Sequence, residues 1–344
     1  MLLASPRGFC AGVEKAIKAL AWMVRVFEPP VYCYHEIVHN QHVVDQFRAR
    51  GVVFVDDVEE VPAGAPLMLS AHGSAPKVVE AARRRDRVVI DAVCPLVTKV
   101  HHELKVRARK GYTVLYVGHE GHEEAVGTMA VAPTAVQLMQ SEAAVDEVAE
   151  RLEPGTPVAL LAQTTLSHDE WAGIMSRARA RFPELWMPNR SDLCFATTNR
   201  QAALKEIAGR ADAVVVIGSE NSSNTRALEK VAAARCGRVV RVNHADELPD
   251  DLSGTVGVTA GASAPEELVE LVLARLDPAH GVEEVHVTDE DEYFPPPPEL
   301  RDLLRGLSAS LTFGLMAPPA TEGEGDGGAD RSVSAADVLV ALAG

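Results

Sequence analysis

Short runs of Val, Ile, Leu and Ala alternate along most of the chain with longer segments in which apolar residues recur at helical spacing. Residues 214–217 form one such run, and residues 266–276 form one such segment. Strand patterns that alternate with helix patterns are typical of βαβ units, which build parallel sheets. The chain is therefore predicted to be an α/β protein.

A cysteine stands at the same place in three of these units, between the end of a strand and the start of a helix. These are Cys10, Cys94 and Cys194, and helices are predicted over 97–110 and 199–209 after the second and third. A helix N-terminus has unpaired N–H groups and a dipole that favours an anion, so it favours the thiolate that binds metals. The pattern indicates a frame that brings three thiolates to one point.

Two further strand-to-helix junctions follow each cysteine. The first junctions lie 29, 28 and 28 residues after the cysteines, at His39, His122 and Ser222, and the second junctions carry His72, Thr164 and Ser263. Ligands of parallel sheets bind beyond the carboxyl ends of the strands, where all these junctions lie. The repeats therefore predict three small parallel-sheet α/β domains in a pseudo-threefold arrangement around a central cavity.

The repeat places domain boundaries at 1–94, 95–191 and 192–280, with the N-terminal strand assigned to the first domain. Residues 281–344 form a C-terminal segment in which short helices are predicted over 299–307 and 334–343. Residues 317–329, rich in Pro, Gly and acids, are predicted to be disordered. No chemistry is assigned to this segment.

Three converging thiolates are suited to a zinc ion or to an iron–sulfur cluster. Zinc normally takes a fourth Cys or His, whereas a cubane cluster held by three cysteines leaves one iron open to a substrate oxygen. The spacing leaves both alternatives open. Cys33, inside a strand, and Cys236, near a helix end, are expected to be small buried apolar residues.

The other junctions carry side chains that can bind a phosphate or diphosphate with helix N-termini behind them. These are His39, His72, His122, Ser222, Ser223, Asn224 and Ser263. The chain has no Walker A motif and no dinucleotide fingerprint, so a small phosphorylated molecule is expected rather than a nucleotide.

Glu124 is the candidate proton donor, two residues after His122. A dry pocket would set its pKa for this role, but a solvated acidic first turn of a helix explains the same pattern equally well. Thr164 either orients the same substrate oxygen or caps a helix.

Composition excludes several classes of protein. No apolar run of the 344 residues approaches the length of a membrane span, and Pro6 and Arg7 interrupt the N-terminus before a signal-peptide core, so a cytoplasmic protein is expected. The five cysteines lack the density of a disulfide scaffold. The net charge is −16, of which −10 comes from 13 acidic and 3 basic residues in 281–344, and this argues against nucleic acid as a partner.

Eight motifs follow one another along the chain: RGFCAGV at 7–13, EIVHN at 36–40, SAHG at 70–73, DAVCPLVTKV at 91–100, QTTLS at 163–167, CFATTNRQ at 194–201, GSENSSN at 218–224 and TAGASAP at 259–265. Together they resemble those of 4-hydroxy-3-methylbut-2-enyl diphosphate reductases, iron–sulfur enzymes of the non-mevalonate isoprenoid pathway. The resemblance runs in unbroken order from residue 2 to about residue 301. One position departs from the family pattern: Val126 stands where a second acidic residue is expected.

The resemblance implies one 4Fe–4S cluster per chain, held by Cys10, Cys94 and Cys194, which air converts to a three-iron species. It implies that the apical iron binds the substrate hydroxyl, that Glu124 acts in protonation, and that Thr164 hydrogen-bonds nearby. The diphosphate would be bound by His39, His72, His122, Ser222, Ser223, Asn224 and Ser263, with Thr197 close to them. Two electrons, from a donor such as a ferredoxin or flavodoxin, and two protons would then remove the hydroxyl as water to give isopentenyl and dimethylallyl diphosphates.

Two other functions remain open on the residues alone. A cluster protein that senses oxygen or redox state needs the cysteines but not the histidine, serine and asparagine set. A zinc hydrolase of phosphorylated substrates would use His122 and Glu124.

Overall fold

The computed structural model describes residues 1–84, 87–314 and 330–343, in which strands and helices alternate as predicted. The strands are β1 (Leu2–Ser5), β2 (Val31–Tyr34), β3 (Val52–Val55), β4 (Leu67–Leu69), β5 (Val89–Asp91), β6 (Thr113–Val117), β7 (Val136–Met139), β8 (Val158–Ala162), β9 (Ala213–Ile217), β10 (Val239–Val242), β11 (Val256–Ala260) and β12 (Glu283–His286). The helices are α1 (Ala11–Val26), α2 (Gln41–Arg48), α3 (Pro76–Arg83), α4 (Pro95–Arg109), α5 (Glu123–Met129), α6 (Glu142–Arg151), α7 (His168–Arg181), α8 (Phe195–Ala208), α9 (Ser223–Ala233), α10 (Glu266–Leu276), α11 (Pro298–Gly314) and a C-terminal helix, Ala335–Ala343.

The described strands form three separate sheets, and every strand pair in them is parallel. Their orders are β3-β2-β4-β5, β7-β6-β8 and β10-β9-β11-β1-β12. Each sheet has its own buried apolar residues on both faces, as parallel sheets covered by helices require. The predicted fold of three small parallel-sheet α/β domains is confirmed.

The N-terminal strand belongs to the third sheet and not to the first. Leu2 of β1 lies opposite Gly257 of β11 on one side and opposite Glu283 of β12 on the other. The assignment of this strand to the first domain was therefore wrong, and residues 283–286 of the C-terminal segment complete the third sheet. The boundaries near 94 and 191 remain predictions.

Two helices begin earlier than predicted. α4 begins at Pro95 instead of residue 97, because proline fits the first position of a helix. α8 begins at Phe195 instead of residue 199, because the Cys194 sulfur accepts a hydrogen bond from the Thr197 N–H and caps the helix. Both cysteines therefore stand directly at the helix start.

The C-terminal segment packs against the helix that follows Cys10. Leu300, Ala335, Val338 and Leu339 are buried in the same apolar cluster as the inner face of α1. α11 is longer than the helix predicted over 299–307, the terminal helix predicted over 334–343 is confirmed, and the disorder predicted for 317–329 lies outside the described residues. None of the described helices has the length and apolar character needed to cross a bilayer.

Candidate active site

Three thiols reach one cavity from three helix starts. Cys10, Cys94 and Cys194 are the N-cap residues of α1, α4 and α8, and all three line this cavity. All five cysteines are free, and the other two, Cys33 in β2 and Cys236 after α9, are buried away from the cavity. The structure thus brings together the three cysteines that the repeats singled out.

A glycine leaves room for two of these sulfurs. A Cβ on Gly12 would lie 2.9 Å from the Cys94 sulfur and 3.9 Å from the Cys10 sulfur. The first distance is shorter than a side-chain carbon tolerates, so the close approach of the two thiols depends on the missing side chain. Gly12 therefore helps to shape the thiol site.

In the metal-free protein the Cys94 and Cys194 thiols are held in their neutral form, contrary to the expectation from the helix dipoles. Although both thiols reach the cavity, burial and the nearby Cys10 thiol raise the pKa values of Cys94 and Cys194 to about 12. The desolvation of the sulfur therefore outweighs the helix N-terminus. A bound metal group would have to displace these protons.

Glu124 lies in the same cavity and is held by Thr164. Its side chain is 2% exposed, and its two carboxylate oxygens accept hydrogen bonds from the Thr164 N–H at 2.7 Å and the Thr164 hydroxyl at 2.9 Å. Burial raises the pKa of Glu124 to about 7, even though the Thr164 hydrogen bonds lower it. Glu124 is thus a buried acid that exchanges its proton near neutral pH, and not a solvated first-turn acid.

Three histidine rings meet beside this carboxyl group. The rings of His39 and His72 stack with centroids 3.8 Å apart, and His122 packs edge-on at 5.3 Å from His39. Both ring nitrogens of His39 and the Nε2 of His122 are buried without a hydrogen-bond partner. Burial, followed by the neighbouring His72, lowers the pKa of His39. Buried polar atoms without partners are typical of a site that a ligand completes.

The serine and asparagine set, Ser222, Ser223, Asn224 and Ser263, also lines the cavity. Ser222 caps α9, the Ser223 hydroxyl accepts a hydrogen bond from Gln163 at 3.1 Å, and the Ser263 hydroxyl donates to the His39 carbonyl at 2.9 Å. The Asn224 side-chain oxygen accepts from the Ala262 N–H at 2.8 Å. These four residues line the cavity together with the histidines.

Thr197 lies next to a thiol. Its hydroxyl is 2.9 Å from the Cys194 sulfur, and the Asn224 amide approaches the same hydroxyl at 3.4 Å. Thr197 is fully buried and lines the cavity, so it connects the sulfur to the serine and asparagine set.

Two acids that are adjacent in the sequence, Glu123 and Glu124, make different contacts, and no sequence pattern indicates this difference. The Glu123 carboxylate lies 2.8 Å from the Nδ1 of His72 and 3.1 Å from the Nδ1 of His35, outside the wall that Glu124 occupies. His35 has a left-handed backbone (φ 59°), which is uncommon for a residue with a side chain. Neither Glu123 nor His35 belonged to the predicted site.

A buried arginine also escaped the sequence analysis. Arg200 is fully buried and donates to the Gly8 and Phe9 carbonyls just before Cys10, at 2.7 and 3.1 Å, and to the Ala196 carbonyl just after Cys194, at 2.9 Å. Its charge is balanced by Glu290, whose carboxylate oxygens both lie 2.9 Å from the guanidinium. Because Arg200 belongs to α8, which starts directly after Cys194, its bonds to the Gly8 and Phe9 carbonyls hold the loop before Cys10 against this helix.

Known proteins similar to this chain share one family. The family model described as LytB protein matches residues 1–277. A 4-hydroxy-3-methylbut-2-enyl diphosphate reductase of Rhodopirellula baltica is 47% identical over 306 residues, covering 88% of this chain and 95% of that protein. The enzyme of the same name from Mycolicibacterium paratuberculosis is 51% identical over 280 residues, covering 80% of this chain and 84% of that protein.

A solved structure agrees with these relatives. The structure of the (E)-1-hydroxy-2-methyl-but-2-enyl-4-diphosphate reductase from Plasmodium falciparum superposes with a TM-score of 0.86 at 31% identity, and the match covers 89% of this chain and 98% of that chain. The three-sheet architecture is therefore shared along nearly the whole length of that enzyme.

Proposed function

Since the chain belongs to the LytB family of reductases, we propose that it removes the hydroxyl group of (E)-4-hydroxy-3-methylbut-2-enyl diphosphate by reduction. Two electrons and two protons break the C–O bond: one proton leaves with the hydroxyl as water, and the other forms a C–H bond at one end of the allylic unit. Protonation at the carbon that carried the hydroxyl gives dimethylallyl diphosphate, and protonation at the other end, with a shift of the double bond, gives isopentenyl diphosphate. The observation that carries the proposal is the meeting of three thiols, one buried acid and unpartnered histidine nitrogens in a single cavity.

Cys10, Cys94 and Cys194 would hold a 4Fe–4S cluster, and their meeting in one cavity and the space left by Gly12 support this assignment. The cluster supplies single electrons and a Lewis-acidic iron when bound. An external donor, such as a ferredoxin or flavodoxin, would deliver the electrons. Arg200 would keep the Cys10 and Cys194 loops in place.

Glu124 would supply a proton at the hydroxyl group. It is buried, its pKa is raised to about 7, and it is therefore substantially protonated at neutral pH. The Thr164 hydroxyl and N–H keep its carboxyl group in one orientation. A positioned acid with such a pKa suits proton transfer to a leaving oxygen.

The diphosphate would bind between the histidines and the serine and asparagine set. The residues proposed to contact it are His39, His72, His122, Ser222, Ser223, Asn224 and Ser263, with Thr197 near the thiols. The start of α9, at Ser223, adds N–H groups and a favourable dipole for an anion. These donors favour an enzyme over a redox sensor, which has no use for them.

Anaerobic purification followed by iron, sulfide and zinc analysis tests the proposed cofactor, and turnover with a chemical reductant tests the activity. We expect about four irons and four sulfides per chain, and conversion of the hydroxylated diphosphate. One zinc per chain with no iron would contradict the cofactor assignment, and a full cluster without conversion would contradict the reductase activity.

A further inference from the structure

We infer that Glu123 is a positioning residue for substrate binding: it holds His72 so that its free ring nitrogen faces the diphosphate. This inference rests on the proposed function, and it concerns a residue that lies behind the cavity wall. It is carried by the contacts of the Glu123 carboxylate.

The Glu123 carboxylate uses both of its oxygens on histidines. One oxygen lies 2.8 Å from the Nδ1 of His72, and the other lies 3.1 Å from the Nδ1 of His35. Because Nδ1 of His72 is engaged by Glu123 and the ring lines the cavity, Nε2 is the nitrogen left for a ligand. A carboxylate that accepts from Nδ1 fixes both the orientation and the tautomer of an imidazole.

The charge on Glu123 is secured by the same contacts. Burial by itself would raise the pKa of the Glu123 carboxyl, but the hydrogen bonds from His35 and His72 hold it well below its usual range. Burial also lowers the pKa of His35, yet the hydrogen bond to Glu123 raises it overall. A charged Glu123 makes a strong, charge-assisted hydrogen bond to the Nδ1 of His72, which holds the ring in one orientation.

The arrangement also joins two parts of the fold. Glu123 is the first residue of α5, which follows β6 of the second sheet, whereas His35 and His72 follow β2 and β4 of the first. His35 has a left-handed backbone, and the Nδ1 of its ring lies 3.1 Å from the Glu123 carboxylate. Backbone strain at a residue that contacts a half-buried acid is typical of a functional contact.

Other charged groups surround this contact. Glu36 faces His39 at 3.8 Å, Asp56 faces His35, and His122 and Glu124 stand on the cavity side. None of them is hydrogen-bonded to the Glu123 carboxylate in the described structure, so its two histidine contacts are the ones that a substitution would remove.

Glu123→Gln should change the diphosphate affinity in opposite directions depending on whether Glu123 only repels the anion or positions His72. If Glu123 only repelled the anion, Glu123→Gln would tighten binding. If it positions His72, the same change removes a charge-assisted hydrogen bond and weakens binding. The sign of the change therefore distinguishes the two cases.

The test measures the affinity of the cluster-loaded protein for inorganic diphosphate by calorimetry, together with KM and kcat for the substrate. We expect Glu123→Gln to raise both the diphosphate Kd and KM about 10- to 100-fold, as loss of a hydrogen bond to a charged group does, with kcat changed less than about threefold. Glu120→Gln is the matched control, since Glu120 lies in the same loop and is exposed; we expect no change.

A double-substitution cycle separates positioning from general destabilisation. In a His72→Ala background, Glu123→Gln should have little further effect on the diphosphate Kd, because its partner is gone. His35→Asn, in which asparagine tolerates the left-handed backbone, should give a smaller loss than Glu123→Gln. Fully additive losses for Glu123→Gln and His72→Ala would overturn the inference.

Two other results would also overturn the positioning role of Glu123. One is an unchanged or tighter diphosphate Kd for Glu123→Gln, and the other is a zinc ion that the unsubstituted protein binds and the Glu123→Gln protein does not. The second is a real alternative, because the ligand atoms of His39, His72 and Glu123 lie within 4.8 Å of one another. Binding of inorganic diphosphate needs no turnover, so a failure of the proposed reductase activity would be recognised separately.

Discussion

At the scale of single residues, the site depends on one proton held in a dry environment. Glu124 is 2% exposed and its carboxyl group is fixed by two hydrogen bonds from Thr164. Asp192, nearby and negatively charged, adds to the effect of burial in raising the pKa of Glu124. The carboxyl group is therefore poised to give up a proton at physiological pH.

Replacing this acid should separate binding from turnover. Glu124→Gln keeps the shape of the side chain but has no acidic proton, so we expect kcat to fall about 10²- to 10⁴-fold, as for a lost general acid. The iron content and the cluster absorbance should be unchanged. Near-normal kcat under anaerobic conditions would assign the proton to another donor.

The pH dependence of turnover should report the same group. Because the folded-state pKa of Glu124 is raised from 4.5 to about 7, the carboxyl group is protonated below about pH 7 and loses its proton above it. We expect kcat to fall by about tenfold per pH unit above this value, since only the protonated acid is active. The measurement is kcat against pH from 6 to 9 with saturating substrate, and Glu124→Gln should lack this decline. A wild-type profile that stays flat to pH 9 would contradict the acid role.

Two neighbouring acids show what the sequence could and could not predict. It pointed to Glu124 as the proton donor but gave no role to Glu123, although both lie in the first turn of a helix. Their roles differ because the side chains of successive helical residues point in different directions, Glu124 toward Thr164 and Glu123 toward His72. His35 and Arg200 were missed for the same reason: a backbone φ of 59° and a network of buried carbonyl contacts have no signal in a single sequence.

At the scale of elements, the helix starts assemble the thiol site. α1, α4 and α8 each begin directly after a cysteine, and their N-termini point the thiols into one cavity. The repeated strand-to-helix junctions were visible in the sequence because strand and helix periodicity change abruptly there. The exact start of α8 was not, because capping by a cysteine sulfur has no established sequence preference.

Only the cysteines at helix starts should be needed to bind the iron–sulfur cluster. We expect Cys10→Ser, Cys94→Ser and Cys194→Ser each to lose most of the bound iron and sulfide, because a serine oxygen is a poor ligand for iron in such clusters. Cys33→Ser and Cys236→Ser are the controls and should keep it, provided that the proteins fold as judged by circular dichroism. Cluster absorbance retained in one of the first three variants would remove that cysteine from the ligand set.

The first turn of α1 offers a second test. Gly12→Ala places a Cβ 2.9 Å from the Cys94 sulfur, so we expect cluster content to fall while the metal-free fold is kept. Gly209→Ala is the matched control, because no atom lies within 4 Å of a Cβ built there. Iron per chain after anaerobic reconstitution distinguishes the two variants, and equal iron contents would show that Gly12 has no part in shaping the site.

At the scale of the whole molecule, three sheets place their carboxyl ends around one cavity, and contacts between distant segments keep them there. Arg200 ties the Cys10 and Cys194 loops to Glu290, and the C-terminal helix packs on α1. The count of sheets followed from the repeats, but the pairing of β1 with β11 and β12 did not. A strand pattern fixes which residues face the core and leaves the neighbouring strand unspecified.

A single-turnover experiment shows whether this chain removes a hydroxyl group with two electrons. Anaerobically reduced, cluster-loaded protein is mixed with (E)-4-hydroxy-3-methylbut-2-enyl diphosphate, and the electrons are supplied by titrated reductant. We expect one molecule of isopentenyl or dimethylallyl diphosphate for every two electrons consumed, and none with the Cys194→Ser protein. Electrons consumed without either product, or product formed by hydrolysis of the diphosphate, would contradict it.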